Sequence, residues 1–196
     1  IAATYLSTRE AIIAQERAAQ ARALLQVVPE SRHDNTMLDD TLPVSNKDLL
    51  NLAGEQTIFV ARKNGTPVAY IIPAIAPDGY SGQIKLIVGV NTDGSIAGVR
   101  VLAHNETPGL GDKVDLKKSD WVLGFDGKSL GNPAPGLWKV TKDKGVFDTF
   151  TGATITPRAV TNAVYQTLLY YQANAKAMAA QSLKAPVPAP EPAPLT

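Results

Sequence analysis

Two glycine-containing turns between four apolar segments are the strongest constraint on the fold of this chain. Residues 63–67 and 91–95 are polar and carry Asn-Gly and Asp-Gly pairs, which readily adopt the left-handed backbone conformations of tight hairpin turns. The flanking segments are rich in β-branched and aromatic side chains, as strands are. They are residues 57–62, 68–72, 84–90 and 96–103. The pattern predicts two consecutive β-hairpins and therefore antiparallel pairing.

Helical patterns lie on both sides of these strands. Residues 8–28 consist mainly of good helix formers without Gly or Pro, and Pro29 ends the run. After Arg158, side chains of one helical face recur at i, i+4, i+7, i+8 and i+11. They are Val160, Val164, Thr167, Leu168 and Tyr171. We therefore predict an α+β fold, with an antiparallel sheet of consecutive hairpins and a helix at each end.

The chain divides into three parts by composition. Residues 1–29 are predicted to be an N-terminal helix, and residues 30–184 are predicted to form one domain, of which 30–47 are polar and irregular. Residues 185–196 alternate proline with small or polar residues. Such a tail has too little apolar surface to pack, so we expect it to be extended and mobile.

The second helix begins beside a concentration of hydroxyl side chains. Pro157 suits a first helical position, which makes Thr156 the predicted N-cap. The unpaired backbone N–H groups of a first helical turn, together with the helix dipole, would hold an anion beside Thr154 or Thr156. Gly152 would let the backbone approach such a ligand closely.

Helix capping explains only part of this segment. A Thr-Pro pair before a periodic apolar run is typical of any well-capped helix, and cap chemistry alone favours that plain interpretation. A cap needs one hydroxyl group, however. The segment supplies four, from Thr149, Thr151, Thr154 and Thr156, and the acidic Asp148 stands just upstream.

Two further glycine-rich segments lie at the ends of predicted strands. Residues 79–82, Gly-Tyr-Ser-Gly, precede a strand, and residues 106–111, Glu-Thr-Pro-Gly-Leu-Gly, follow another. We name these the glycine turn and the glycine loop. Turn chemistry alone favours a plain structural role for the glycine loop. For the glycine turn two interpretations stay open: Tyr80 anchors its own turn, or its ring packs against a ligand.

Taken together, the three segments resemble the periplasmic FMN-binding domain family. Asp-x-x-Thr-Gly-Ala-Thr, at residues 148–154, is similar to that family's flavinylation motif, and the glycine turn and glycine loop occur in the family's order. Residues from about 49 to about 171 resemble the G subunits of Rnf (Rsx) electron-transport complexes. The C subunits of sodium-pumping NADH:quinone oxidoreductases are relatives within the same superfamily.

The resemblance implies a covalently attached cofactor. In this family a flavin transferase joins FMN through its phosphate to the last Thr of the motif, which is Thr154 here, and Thr156 is the fallback. A transferred role in binding the cofactor is implied for Asp148, Thr151, Gly152, Ala153, Thr156, Tyr80, Glu106, Thr107 and Leu110. No catalytic residue and no metal ligand is implied, because a flavin takes up and releases protons on its own ring. We expect an electron-transfer subunit of a membrane-bound ion-translocating oxidoreductase complex, without independent catalysis.

The same resemblance implies partners and a location. The expected partners are the other subunits of the Rnf complex and the flavin transferase, without which a recombinant chain would lack FMN. No apolar run approaches the ~20 residues that span a bilayer. Family members carry one N-terminal membrane helix, so we expect an anchor before Ile1. This domain would then lie in the periplasm, at the bacterial inner membrane.

Composition excludes several other functions. The chain has no Cys, which rules out thiol catalysis and Cys-ligated metal or iron–sulfur sites. Its net charge is +1 with Lys and Arg spread along the sequence, so a nucleic-acid partner is not expected. A non-covalent binding or assembly module of an envelope complex remains the alternative. A Ser/Thr hydrolase is disfavoured, because residues 79–82 lack the Gly-x-Ser-x-Gly spacing of a nucleophile elbow.

Overall fold

The fold is a five-stranded antiparallel sheet with a long helix at each end of the chain, in a computed structural model that describes residues 2–184. The strands follow one another in the order β1-β2-β3-β4-β5. The elements are α1 (Ala2–Val27), β1 (Thr41–Val44), β2 (Gln56–Lys63), β3 (Thr66–Gly79), β4 (Gly82–Asn91), β5 (Ile96–Ala103) and α2 (Ile155–Lys184). The predicted α+β class, with consecutive hairpins between two helices, is confirmed.

The hairpin turns follow the chemistry expected of them. Between β2 and β3, Asn64 and Gly65 both have positive φ, at 50° and 77°. Strand β3 is much longer than the predicted 68–72 and continues through Pro73 to Gly79. Pro73 is tolerated because the pairing of β3 with β2 runs only from Ile71 to Thr66, so that beyond this point β3 pairs with β4 alone.

Strand β1 was not predicted, since residues 30–47 were expected to be irregular. It has only four residues, Thr41–Val44, and includes a proline. It pairs with β2 at the edge of the sheet, where Leu42 and Val44 are buried. A strand this short shows too few alternations to be recognised among polar neighbours.

The sheet is covered on both faces. Helix α2 packs on one face, where Val160, Val164 and Leu168 join the main core. The C-terminal part of α1 packs on the other face through Leu24 and Val27. Burial on both faces explains why the strands read as continuous apolar runs rather than as alternating patterns.

Two glycines opposite each other in β4 and β5 allow α1 to approach the sheet. Gly89 pairs with Gly98, and both face Val27. A Cβ atom on Gly89 would lie 2.2 Å from Val27 Cγ1, which is closer than any side chain allows. The docking of α1 therefore depends on these glycines.

A buried ion pair ties the far end of α2 to the sheet. Arg62 on β2 contacts Asp40 at 2.5 Å between Nε and Oδ2, and it also donates to the Ser182 carbonyl near the end of α2. The side-chain hydrogen bond with Asp40 raises the pKa of Arg62 above its ordinary value. Because Arg62 contacts the C-terminal end of α2, the pair lies far from the start of that helix. Asp40 is therefore a suitable control position for substitutions at the helix start.

The structure describes the two ends of the chain only in part. Helix α1 begins before the run of helix formers that starts at residue 8. The proline-rich tail, predicted at residues 185–196, lies outside the described residues. Within residues 2–184, no helix has the length and apolar character needed to cross a bilayer. The division at residues 29 and 184 stays a prediction.

Candidate functional site

The glycine turn, the glycine loop and the start of α2 meet around one pocket. Its volume is about 280 Å³. The lining residues are Tyr80, Glu106, Thr107, Leu110, Gly111, Gly152, Ala153, Thr154, Ile155 and Thr156. Segments separated by tens of residues therefore form one site, as the family resemblance implied.

Glu106 lies at the centre of this arrangement. It is only 4% exposed, and its carboxylate accepts hydrogen bonds from the backbone N–H groups of Tyr80 (3.1 Å) and Ser81 (2.9 Å). The Thr156 hydroxyl donates a third hydrogen bond to it. The Glu106 backbone N–H in turn donates to His104 Nδ1 at 3.0 Å. One side chain thus joins the glycine turn, the glycine loop and the first turn of α2.

Two glycines are required by the space around this carboxylate. A Cβ atom on Gly111 would lie 2.6 Å from the Thr156 hydroxyl oxygen and 3.1 Å from Glu106 Oε2. A Cβ atom on Gly79 would lie 2.2 Å from the Gly82 carbonyl oxygen and 3.0 Å from Glu106 Oε1. These glycines allow close approach of three chain segments, which is more than a turn alone would require.

The glycine loop also contacts residues 148–156, the Thr-rich segment, directly. Gly152 has φ of +78°, and a Cβ atom there would lie 3.3 Å from Leu110 Cδ2. Lys113 Nζ lies 6.0 Å from the centroid of the Phe150 ring, within the range of a cation–π interaction. Phe150 packs against Trp121 with ring centroids 5.4 Å apart. The motif is therefore held at Phe150 from two sides.

The helix start differs from the prediction. Helix α2 begins at Ile155, and the Thr154 carbonyl accepts the Arg158 N–H at 3.2 Å, as an N-cap residue does. The predicted N-cap, Thr156, lies inside the first turn, where its hydroxyl bonds to Glu106 instead of capping the helix. Pro157 is the third helical residue. It fits because no N–H of the first turn has a partner within the helix.

Three successive backbone donors at this helix start are unpaired. Within residues 2–184, the N–H groups of Thr154, Ile155 and Thr156 donate no hydrogen bond. All three residues line the pocket. Unpaired donors at the positive end of a helix dipole favour an anion such as a phosphate group. This donor set fits the phosphate of FMN.

The four threonines of the segment differ in access. Thr156 is 1% exposed and hydrogen-bonded, whereas Thr154 is partly exposed and lines the pocket. Thr149 and Thr151 lie outside the pocket lining. Among these threonines, only Thr154 offers an accessible hydroxyl beside the unpaired donors.

Asp148 and Thr151 are not brought into the pocket. Both are exposed, and the Asp148 carbonyl accepts the Trp121 indole N–H at 2.9 Å. Arg158, on the first turn of α2, faces away to Asp143, with hydrogen bonds of 2.6 and 2.9 Å. These bonds hold the pKa of the Asp143 carboxyl below its usual value.

The mouth of the pocket is apolar and exposed. Tyr80 is 69% exposed, Ile155 45% and Leu110 40%. The pocket volume lies near the lower end of the ~300–1,000 Å³ typical of small-molecule sites, so a large ligand would extend over this rim. Gly111 and Ile155 were absent from the predicted site residues. Only its position between Thr154 and Thr156 could have indicated from the sequence that Ile155 lines the site.

Comparisons with known proteins agree with this geometry. Residues 79–169, which include both glycine segments and the start of α2, match the FMN-binding domain family. The G subunit of the ion-translocating oxidoreductase complex of Pseudomonas aeruginosa is 54% identical over 166 residues, covering 84% of this chain and 78% of that protein. The corresponding Pseudoalteromonas atlantica protein is 49% identical over 178 residues, covering 91% and 83%.

A solved structure shares the fold. The crystal structure of Shewanella oneidensis NqrC superposes with a TM-score of 0.50, at 24% sequence identity, over 78% of this chain and 76% of that one. The similarity supports a common arrangement of sheet and helices.

Proposed function

The chain belongs to the family of G subunits of ion-translocating oxidoreductase complexes, and on this basis we propose that it carries electrons in such a complex on FMN bound at the start of α2. One observation carries the proposal. An accessible Thr154 hydroxyl lies beside three unpaired backbone N–H groups in a pocket formed by all three segments. The pocket therefore combines a phosphate site with a possible point of attachment.

The residues present have distinct roles toward FMN. The N–H groups of residues 154–156 would bind the phosphate, and Gly152 would keep the approach to it free of a side chain. Tyr80, Leu110 and Ile155 would pack against the apolar ring system across the rim. FMN supplies the redox chemistry by accepting and releasing electrons, and the protein holds and orients it.

We infer that the link to Thr154 is a phosphodiester. The Thr154 hydroxyl oxygen would form the new ester bond to phosphorus and lose its proton. A flavin donor activated as a phosphoanhydride would supply the leaving group, which would depart as a phosphate with the bonding electrons. The protein would gain FMN less one water. Because an unactivated phosphate monoester would not supply a leaving group, attachment needs an activated donor, and we propose that a flavin transferase delivers it.

The complex itself defines the setting. Ion translocation takes place only across a membrane, so the other subunits and a membrane are the expected neighbours. We propose that this domain lies on the periplasmic side, held by an N-terminal membrane anchor. A covalent link suits that location, because FMN lost outside the cytosol would not readily be replaced.

Retention of flavin after denaturation tests this function. Protein produced together with the flavin transferase should keep its visible flavin absorption after unfolding and washing, and Thr154→Ala should lose it with an unchanged circular dichroism spectrum. Thr154→Ser is the matched control, because it restores a hydroxyl at the same position. Flavin that washes away from the unaltered protein would instead support the alternative, a non-covalent binding module.

A further inference from the structure

We propose that Glu106 is a positioning residue for the attachment of FMN to Thr154: its carboxylate occupies the neighbouring hydroxyl of Thr156 and, by the same bond, holds the first turn of α2 against the glycine turn. The inference rests on the proposed attachment of FMN to this segment. Thr154 and Thr156 are two residues apart at one helix start, and both line the pocket. The flavinylation motif ends at Thr154, but both hydroxyl groups belong to the same pocket, so the fold must also keep the Thr156 hydroxyl from competing.

The hydrogen bonds of Glu106 supply that difference. An ionised carboxylate can only accept hydrogen bonds, and this one receives donors from Tyr80, Ser81 and Thr156. All three bonds are charge-assisted and therefore stronger than bonds between neutral groups. The Thr156 hydroxyl is held as a donor to Glu106, and the residue as a whole is only 1% exposed. It is thus withheld from an incoming phosphate, while Thr154 stays open.

The same bonds fix the shape of the pocket. Tyr80 and Ser81 form the tip of the turn between β3 and β4, and Thr156 belongs to the first turn of α2. Because Glu106 binds both, it sets the distance between the apolar rim at Tyr80 and the donors at the helix start. Loss of its charge would release both elements together, without removing any group that we expect to bind the phosphate.

The Glu106 side chain is enclosed too tightly to have several arrangements. A Cβ atom added at Gly79 would lie 3.0 Å from Glu106 Oε1, and one added at Gly111 would lie 3.1 Å from Oε2. The backbone at both glycines therefore packs closely against the carboxylate. The carboxylate is therefore built into the junction of the three segments. If Glu106 only lined the pocket and could change its position, close packing by both Gly79 and Gly111 would not be required.

The initial rate of flavin attachment tests the proposal. Purified Glu106→Gln, incubated with the flavin transferase and its flavin donor, should be modified at least about tenfold more slowly than the unaltered protein, because one carbonyl oxygen cannot accept from all three donors. Thr156→Val should slow attachment in the same direction, and Thr156→Ser should restore it. The double variant Glu106→Gln/Thr156→Val should slow attachment by less than the product of the two single-variant factors, because both substitutions disrupt the same hydrogen bond.

Asp40→Asn controls for general destabilisation. It disrupts another buried carboxylate, which pairs with Arg62 far from the pocket. It should lower the thermal midpoint while leaving the attachment rate of folded protein unchanged. Equal rates for Glu106→Gln and the unaltered protein would overturn the proposal, as would an adduct on Thr156 in the unaltered protein. No adduct on any residue of the unaltered protein would instead refute the proposed function itself.

Discussion

The Thr156 hydroxyl donates a hydrogen bond to the carboxylate of Glu106, which lies 50 residues earlier in the chain. This bond closes the junction between the glycine loop and the first turn of α2. It also explains why Thr156, which the local sequence marks as a helix cap, has a different role in the folded protein. The two residues give the start of α2 a fixed position relative to the sheet.

Removal of the Thr156 hydroxyl should destabilise the fold. Thr156→Val keeps the shape of the side chain but leaves the buried Glu106 carboxylate with one donor fewer, at a cost of about 1–3 kcal/mol. Urea denaturation followed by tryptophan fluorescence would measure the change. Thr156→Ser should stay within about 0.5–1 kcal/mol of the unaltered protein, because it loses only a methyl group. Equal effects of Val and Ser would contradict the role of the hydroxyl.

A methyl group at Gly111 should disturb the same junction. Gly111→Ala places Cβ 2.6 Å from the Thr156 hydroxyl oxygen, so the loop or the helix start must shift, at a cost of about 1–3 kcal/mol. The free energy of unfolding is the measurement. Gly54→Ala is the control, because nothing lies within 4 Å of the added atom. A loss of stability no larger at Gly111 than at Gly54 would show that the site is less tightly packed than described.

A methyl group at Gly89 should loosen α1 from the sheet. Gly89→Ala would collide with Val27 Cγ1 at 2.2 Å, so we expect faster proteolytic cleavage within α1 and a lower unfolding midpoint. Adding Val27→Ala should recover part of the loss, because it removes the colliding methyl groups. Flavin attachment should be unaffected in both variants, since α1 contributes no residue to the pocket lining. A double variant less stable than Gly89→Ala would contradict the proposed collision.

The Arg158–Asp143 pair predicts a pH effect of definite sign. Hydrogen bonds from Arg158 lower the pKa of Asp143 in the folded protein, so their contribution to stability is present above the unfolded-state pKa and is lost as the pH falls through the folded-state pKa. Arg158→Gln should return the pKa of Asp143 toward its ordinary value in a carboxyl NMR titration. The stability change should be small, because the pair is exposed. Lys142→Gln is the control and should leave that pKa where it is.

Local patterns predicted the sheet better than they predicted the site. Asn64-Gly65 and the apolar runs around it were enough for the β2–β3 hairpin, because turn chemistry and strand composition act over a few residues. The start of α2 was misplaced for the opposite reason. Thr156 and Pro157 have the local character of a cap and a first helical residue, but the deciding interaction comes from Glu106, and a local pattern carries no information about a partner so distant in the chain.

The family resemblance implied which segments surround the cofactor, but it did not give their arrangement. The glycine turn, the glycine loop and the Thr-rich segment do meet, and seven of the lining residues other than Thr154 were among those expected: Tyr80, Glu106, Thr107, Leu110, Gly152, Ala153 and Thr156. Asp148 and Thr151 lie outside the lining, and Phe150 between them packs against Trp121 through a long-range contact that no local pattern indicates. The same holds for the requirement of Gly89 and Gly98 for the docking of α1.

Tandem mass spectrometry of the flavin-bearing peptide is the most direct test of the central claim. Protein produced with the flavin transferase should yield one modified peptide, heavier by FMN less one water, with fragment ions that place the added mass on Thr154. The peptide contains Thr149, Thr151 and Thr156 as internal alternatives, so the fragmentation itself decides among the four hydroxyls. An adduct on Thr149, Thr151 or Thr156, or an unmodified peptide from protein that is yellow when folded, would contradict the account.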